Sequence, residues 1–343
     1  MYEIVDKIEI PTGFLFTTQG EKGLLETLSI GDYGKRHNVK AQFLGFDEDV
    51  EKVRPTRTEP ISEKWVITLS TQYGCPMRCA FCDCPKLEFN GNALLGDLKA
   101  QLANALACFP DEHYAGRLNV HFARMGEPAF NASNVMSFCT WMNRNKLDIK
   151  RMTGVSIDVL HPVFTTSSPA ALGKDGMRRI LLDWADIKNR EYNGCAGLQL
   201  SINSTSEEQR QEMFRGMALT IQDIADVCRS LPEPLGRKYC LNFALADDYE
   251  VDADKLARLF DPNKFMVKIT PIHNNTACRE AGIETSQGYD NSSWYKRAEA
   301  DLIAAGFDVL VFVPSMDEED GLVTCGNVAL SGSRPRNAVT RRI

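Results

Sequence analysis

The sequence predicts an α/β fold built on a parallel sheet. Short apolar runs recur from Trp65 onward, an amphipathic stretch follows almost every one of them, and 343 residues are enough to bury a large core. The runs are WVITLS, LNVHFARM, HPVFTTS, LQLSIN, CLNFALA, FMVKITPI and VLVFVP. Between them lie GDLKAQLANALACF, NVMSFCTWMNRN, MRRILLDWADI, SEEQRQEMFRGM, IQDIADVCRSL, DADKLARLF and YKRAEADLIAAG, all with helical periodicity. Six or seven such units suit either a doubly wound sheet or a partial barrel, and periodicity does not choose between them. The first part of the chain reads differently. Pro11, Gly13, Gly20, Gly23, Gly31 and Gly34 punctuate short apolar runs, which predicts hairpins. The expected organisation is a β-rich segment over 1–62, a core over 63–315, and a C-terminal loop with a basic tail over 316–343.

Composition narrows the functional class. A 43% hydrophobic and 25% charged chain is that of an ordinary soluble globular protein. No run approaches the roughly 20 apolar residues of a membrane-spanning helix, and MYEIVDKIEIPTGFLF lacks the basic start and apolar stretch of a secretory leader. The eleven cysteines are spread along a long chain rather than crowded into a short one, so a reducing cytoplasm is expected instead of a disulfide scaffold. A net charge of −7 argues against a surface that is basic throughout. Two local basic groups remain, Lys35, Arg36, His37 and Lys40 near the start and Arg334, Arg336, Arg341 and Arg342 at the end; runs this short are ordinarily solvated surface.

In parallel α/β folds the loops after the strands converge on ligands, so the residues following each strand carry the chemistry. Directly after WVITLS comes TQYGCPMRCAFCDCP, with Cys75, Cys79 and Cys82 at C-x3-C-x2-C spacing. Three thiolates this close can hold three irons of a 4Fe-4S cluster and leave the fourth iron without a protein ligand. Such an iron can chelate the amino and carboxylate groups of S-adenosyl-L-methionine, whose reductive cleavage gives a 5′-deoxyadenosyl radical. This spacing identifies the radical-SAM superfamily. The competing reading is a closed zinc site with Cys84 as fourth thiolate, but no second cysteine knuckle accompanies it. Cys108, Cys139, Cys195, Cys228, Cys240 and Cys278 stand singly, where a small buried apolar residue is the default.

Later segments resemble a narrower family, the radical-SAM RNA adenine methyltransferases that act at C2 (RlmN type) or C8 (Cfr type). Met125-Gly126-Glu127-Pro128 with Asn131 resembles its GEP loop, Thr165-Thr166-Ser167-Ser168 its serine-rich loop, and Ser201-Ile202-Asn203 its Ser-x-His triplet. KITPIHNN is similar to the strand ending in a cofactor-binding asparagine, with His273 in the aligned place and Asn274 next, and Thr324-Cys325-Gly326-Asn327 is similar to the family's Ala-Cys-Gly-Gln. The resemblance covers roughly residues 65 to 330 and implies a partial (β/α)6 barrel. It further implies that Gly126, Glu127, Ser167, Ser201, Asn203 and His273 hold the cofactor, and that Cys325 is methylated and then yields a methylene radical that adds to adenine. A glycine-flanked loop, GLVTCGN, is suited to carry such a group. Each piece alone has a plainer reading: Gly126 turns the chain, Ser167 and Ser201 cap helices, His273 is a core histidine, Cys325 is a loop cysteine.

The chain departs from the family at one chemical position. The family's second cysteine lies seven residues before the first cluster ligand, where this chain has Thr68, which neither ionises like a thiol nor forms a disulfide. Cys84 is the candidate to replace it. The expected partners are a nucleic acid, RNA first, an electron donor such as flavodoxin or ferredoxin, and no membrane. The alternative is hydrogen abstraction from a small molecule, nucleotide or peptide by the same cluster and cofactor.

Overall fold

The computed structural model describes residues 2–32, 39–40, 60–272, 275–284, 293–313, 316–324 and 326–339. His273, Asn274, Cys325, Lys35, Arg36, His37, Arg341 and Arg342 lie outside the described residues. Three strands, β1 (Ile4–Ile10), β2 (Gly13–Gly20) and β3 (Gly23–Gly31), form an antiparallel meander whose links are too short for anything but hairpins. After the two-residue β4 (Val39–Lys40) come β5 (Trp65–Thr68), the small β6–β7 ribbon (Gln72–Tyr73, Gly91–Asn92) and α1 (Leu95–Ala107). The alternation then runs β8 (Tyr114–His121), α2 (Ala132–Arg144), α3 (Lys146–Thr153), β9 (Ser156–Thr166), α4 (Gly173–Asp186) and β10 (Gly197–Ser201). It continues with α5 (Glu207–Met213), α6 (Ile221–Cys228), β11 (Tyr239–Leu245), α7 (Ala253–Leu259), β12 (Phe265–Pro271), α8 (Thr276–Glu280), α9 (Ser293–Ala304), β13 (Asp308–Val313) and α10 (Met316–Asp320).

Three of the helices start at capping residues. Ser206, Thr220 and Asp252 each accept a backbone N–H from three residues on, satisfying a donor that the first turn leaves open. The sequence reading missed α3, α8 and α10. In α3, KLDIKRMT buries only Ile149, so there is no apolar stripe to read.

One sheet of eleven strands runs β1-β2-β3-β5-β8-β9-β10-β11-β12-β13-β4. From β5 to β13 every neighbour is parallel and every new strand adds on the same side. A doubly wound sheet would reverse direction partway, and this one does not. Right-handed crossovers that always advance the same way put α1, α2, α4, α6, α7 and α9 on one face. There Trp65, Val120, Phe164, Leu200, Leu241, Val267 and Val309 meet Leu98, Phe138, Trp184, Ile224, Leu256 and Leu302 in one buried cluster. The first three strands of the β-rich segment expected over 1–62 extend this sheet, because β3 pairs antiparallel with β5, Leu28 facing Thr68 and Gly31 facing Trp65. Among the described residues no helix is long and apolar enough to cross a membrane.

Period-2 alternation puts a different population on the other face. Arg117, Asn119 and His121 follow one another there along β8, beside His161 on β9. The Arg117 guanidinium lies 2.8 Å from His161 Nδ1, and Arg237 Nη1 lies 2.9 Å from His161 Nε2. Burial, then the charges of Arg237 and Arg117, push His161 down to about 2. Burial, then Lys268 and three further cations, push His121 down to about 3. Both rings are therefore neutral in the folded state, whereas unfolded histidine protonates near about pH 6.5. Their contribution is complete above that pH and is lost as the pH falls, at up to about 1.4 kcal/mol per pH unit for each ring. Urea midpoints taken from neutral pH down into the acid range should show this decline, and His161→Gln should flatten it. An unchanged slope in that variant would contradict the assignment.

A candidate cofactor site at the strand ends

The chain leaves β5 and is fixed at once by its neighbour: Leu69 N–H donates to His121 O (2.8 Å) and Thr71 N–H to Met125 O (2.8 Å). This aims the cysteine loop over the ends of β5 and β8. Cys75, Cys79 and Cys82 are half-buried, and Cys84 is buried. Met77, Ala80 and Phe81 pin the loop into a second apolar cluster, where Phe81 meets Phe214 edge-on at 5.8 Å. Cys82 N–H donates to Cys79 O (3.2 Å) and Cys84 N–H points to Cys82 Sγ (3.4 Å). A cavity of about 240 Å³ opens on Cys79 and Cys82, lined also by Lys86, Arg215 and Ala277.

Among the described residues no group of three or more His, Cys, Asp or Glu side chains is drawn together as a metal site. The donor set nevertheless suits a cluster in kind, since three thiols on one loop stay partly open on an apolar bed and one sulfur already receives a backbone N–H. Cys84 hydrogen-bonds Cys75, and that contact, then burial, raises its thiol well above the usual range. Its sulfur thus belongs to the same group of thiols.

The Met125-Gly126-Glu127 loop crosses directly under the cysteine loop. Gly126 has φ 97°, and a Cβ there would stand 2.6 Å from Gln72 Cβ, so close approach as well as conformation requires glycine. Gln72 Oε1 accepts Glu127 N–H at 2.8 Å. The Glu127 carboxylate is buried and well occupied: one oxygen accepts Ala129 N–H (2.9 Å), the other Ser167 N–H (2.9 Å) and Ser167 Oγ–H (2.6 Å). Burial raises this carboxyl, and the hydrogen bonds from Ser167, Thr166 and Ala129 oppose the rise. Glu127 and Ser167, predicted separately, therefore meet and lock the loops after β8 and β9 together. Asn203 is buried with φ 66°, its Oδ1 accepting Ala244 N–H (3.0 Å), so it joins the loop after β10 to the end of β11.

Two residues that the sequence reading passed over hold these loops in place. Arg210, wholly buried on α5, donates to the carbonyls of Ser201 (2.6 Å), Ile202 (2.7 Å), Ser167 (3.1 Å) and Leu219 (3.2 Å). Asn275, next to the expected His273 and Asn274, caps α8 by accepting Cys278 N–H (2.8 Å) and donates to Phe81 O (2.9 Å). An arginine in a charged helical stretch and one more asparagine in a loop give no sequence signal. Cys195 also departs from expectation, being exposed rather than buried.

The C-terminal segment reaches the same place. Asp83 N–H, one residue beyond Cys82, donates to Gly326 O at 2.8 Å. At Gly326 (φ 92°) a Cβ would stand 3.0 Å from Phe81 O. The segment is fastened by a buried ion pair. Glu26 on β3 accepts from Arg124 Nε (2.7 Å) and from the N–H groups of Ala329 (3.2 Å) and Leu330 (2.9 Å), while Arg124 Nη1 donates to Leu322 O (2.8 Å). Thus both flanks of 324–327 are tied to one pair. Thr68, by contrast, lies on β5 between Leu28 and His121.

A singly wound α/β sheet with a three-cysteine loop, a Gly-Glu-Pro loop and a serine loop at its strand ends has the features of the radical-SAM class. Its fold matches that of a solved radical SAM methyltransferase from Sphaerobacter thermophilus, with a TM-score of 0.64 at 17% identity over 95% of this chain and 80% of that one. In sequence the chain is 26% identical over 215 residues to a probable dual-specificity RNA methyltransferase RlmN of Pseudothermotoga lettingae, covering 60% of this chain and 54% of that protein. A second such protein, from Heliobacterium modesticaldum, is 25% identical over 80% of this chain and 66% of its own length. No family model matches. The chain is thus similar, at about a quarter identity, to RlmN-type methyltransferases, and it spans little more than half the length of the first of them.

Replacing Glu26 with Ala would strand the Arg124 charge in the core, so a loss of about 3–5 kcal/mol is expected in denaturant unfolding, with earlier proteolysis near 322–330. The double variant Glu26→Leu, Arg124→Met should lose less than either single change, and equal losses would argue against the pair. Glu127→Gln sets an amide NH2 against an N–H donor and should cost about 1–3 kcal/mol in the same assay.

Proposed function

We propose that this protein is a radical-SAM methyltransferase-type enzyme acting on an adenine base of a nucleic acid, RNA first. In this reading the sheet curls into a partial (β/α)6 barrel, because the face bearing Arg117, His121 and His161 lies opposite the one that the helices cover. Cys75, Cys79 and Cys82 would hold a 4Fe-4S cluster, and Gly126, Glu127, Ser167, Ser201 and Asn203 would surround S-adenosyl-L-methionine. Bound together, cluster and cofactor supply reductive cleavage of a sulfonium and hence a hydrogen-abstracting radical.

The protein's own residues do the positioning. The backbone of Gly126, which tolerates no side chain, allows the closest approach at the loop after β8. Glu127 keeps the loops after β8 and β9 at a fixed separation through Ser167. The observation that carries the proposal is the 2.8 Å bond from Asp83 N–H to Gly326 O, which joins the neighbour of Cys325 to the neighbour of Cys82. A methyl-bearing cysteine at 325 would then act beside the cluster loop. His273 is retained as a cofactor contact by resemblance alone. Thr68 cannot serve as a thiol, which leaves Cys84, grouped with Cys75, as the proposed second sulfur. Electrons would come from a flavodoxin or ferredoxin in a reducing cytoplasm.

A second reading, a small anionic substrate such as a nucleotide, is favoured by the cations Arg117, Arg237 and Lys268 around His121. One experiment separates the readings. Anaerobically reconstituted protein, given reductant and S-adenosyl-L-methionine labelled in its methyl group, should carry a methyl on Cys325 by mass spectrometry and pass label to cellular RNA. Label confined to small molecules would favour the second reading. Protein that binds no iron, or loses none on Cys75→Ala, Cys79→Ala or Cys82→Ala, would end both.

A further inference from the structure

Arg210 stands out among the buried charges. It is wholly inaccessible, and its partners are four carbonyl oxygens and the ring of Phe214, whose centroid lies 4.7 Å from the guanidinium carbon. Glu26 and Arg124 neutralise each other, but among the described residues no carboxylate forms an ion pair with Arg210. Burial lowers it only to about 10, so it stays charged at neutral pH, and the charges that act back on it are those of Glu207 and Cys79. Glu207 is engaged elsewhere, accepting Ile221 N–H (3.0 Å) and the side chain of Gln211. A cation with no direct ion partner in a dry interior still exerts a long field, because little solvent screens it.

What lies at the end of that field is the cysteine loop. Phe214 stacks on Arg210 and meets Phe81, the residue before Cys82, at 5.8 Å. Met213 O, on the last residue of α5, accepts Ala80 N–H at 2.9 Å, next to Cys79. We propose that Arg210 is a positioning residue that also acts electrostatically, tying the Ser167 and Ser201 loops together and, by a buried positive charge held by carbonyls rather than by a direct ion pair, making a cluster on Cys75, Cys79 and Cys82 easier to reduce. Reduction adds one electron to a centre already ringed by thiolates, and a fixed neighbouring cation favours the more negative state. The carbonyl contacts explain why the residue is arginine: lysine carries the charge but cannot span four acceptors in three loops.

The inference rests on the cluster reading above, and the two can fail separately. Wild-type protein is reconstituted with iron and sulfide and its cluster potential is measured by electron paramagnetic resonance under redox titration, alongside equilibrium binding of S-adenosyl-L-methionine. Arg210→Gln, which keeps donors and drops the charge, should reduce at least tenfold less readily at equilibrium, a shift of about 59 mV to more negative potential. Arg210→Lys should keep the wild-type potential and bind the cofactor at least tenfold more weakly. Arg229→Met, at the exposed end of α6, controls for net charge. If Arg210→Gln holds an intact cluster whose potential matches that of Arg229→Met, the inference is wrong while the cluster stands. Should Arg210→Gln not assemble, Arg210→Lys decides alone, and a potential displaced tenfold or more in equilibrium overturns the proposal. Wild-type protein that takes up no iron removes the underlying reading instead.

Discussion

Glu26 is a carboxylate with no access to water, and a charge so placed persists only if every face of it is answered. The answers come from two distant parts of the chain: Arg124 beyond β8, and the backbone of Ala329 and Leu330 near the C terminus. Its own carbonyl accepts Ser70 Oγ–H just after β5. The demand of one buried charge therefore joins the amino-terminal meander, the first two parallel strands and the C-terminal segment. That is why a stretch that belongs to no regular element is held against the cysteine loop.

The same logic organises the rest of the strand ends. Glu127 binds the loops after β8 and β9, Asn203 ties the loop after β10 to the end of β11, and Asn275 fastens α8 to the cysteine loop. Apolar packing forms the helix-covered side of the sheet, but the carboxyl end of the strands is assembled by buried polar groups such as Glu127, Asn203 and Arg210, which bond to more than one segment. Such groups specify geometry more narrowly than apolar contacts do, since a misplaced partner leaves a donor or acceptor bare. A site that must align a cofactor with a reacting group needs that narrowness.

The departure at Thr68 gains meaning in this setting. It sits on β5 in register with His121, beside a strand whose polar face carries Arg117, Asn119 and His121, not thiols. The sulfur near the site is instead concentrated in the cysteine loop, where Cys84 joins the three half-buried thiols.

Local periodicity and spacing were enough to specify the α/β class, most helix and strand positions, and the three-cysteine loop after the first parallel strand, because each depends on residues close in sequence. The single direction of winding, the fusion of the first three strands to the main sheet, and the meeting of Glu127 with Ser167 depended on the tertiary structure. So did every role of Glu26, Arg210 and Asn275. Their partners lie 98, 43 and 194 residues away at Arg124, Ser167 and Phe81, and a buried polar group reveals its purpose only through the groups that satisfy it.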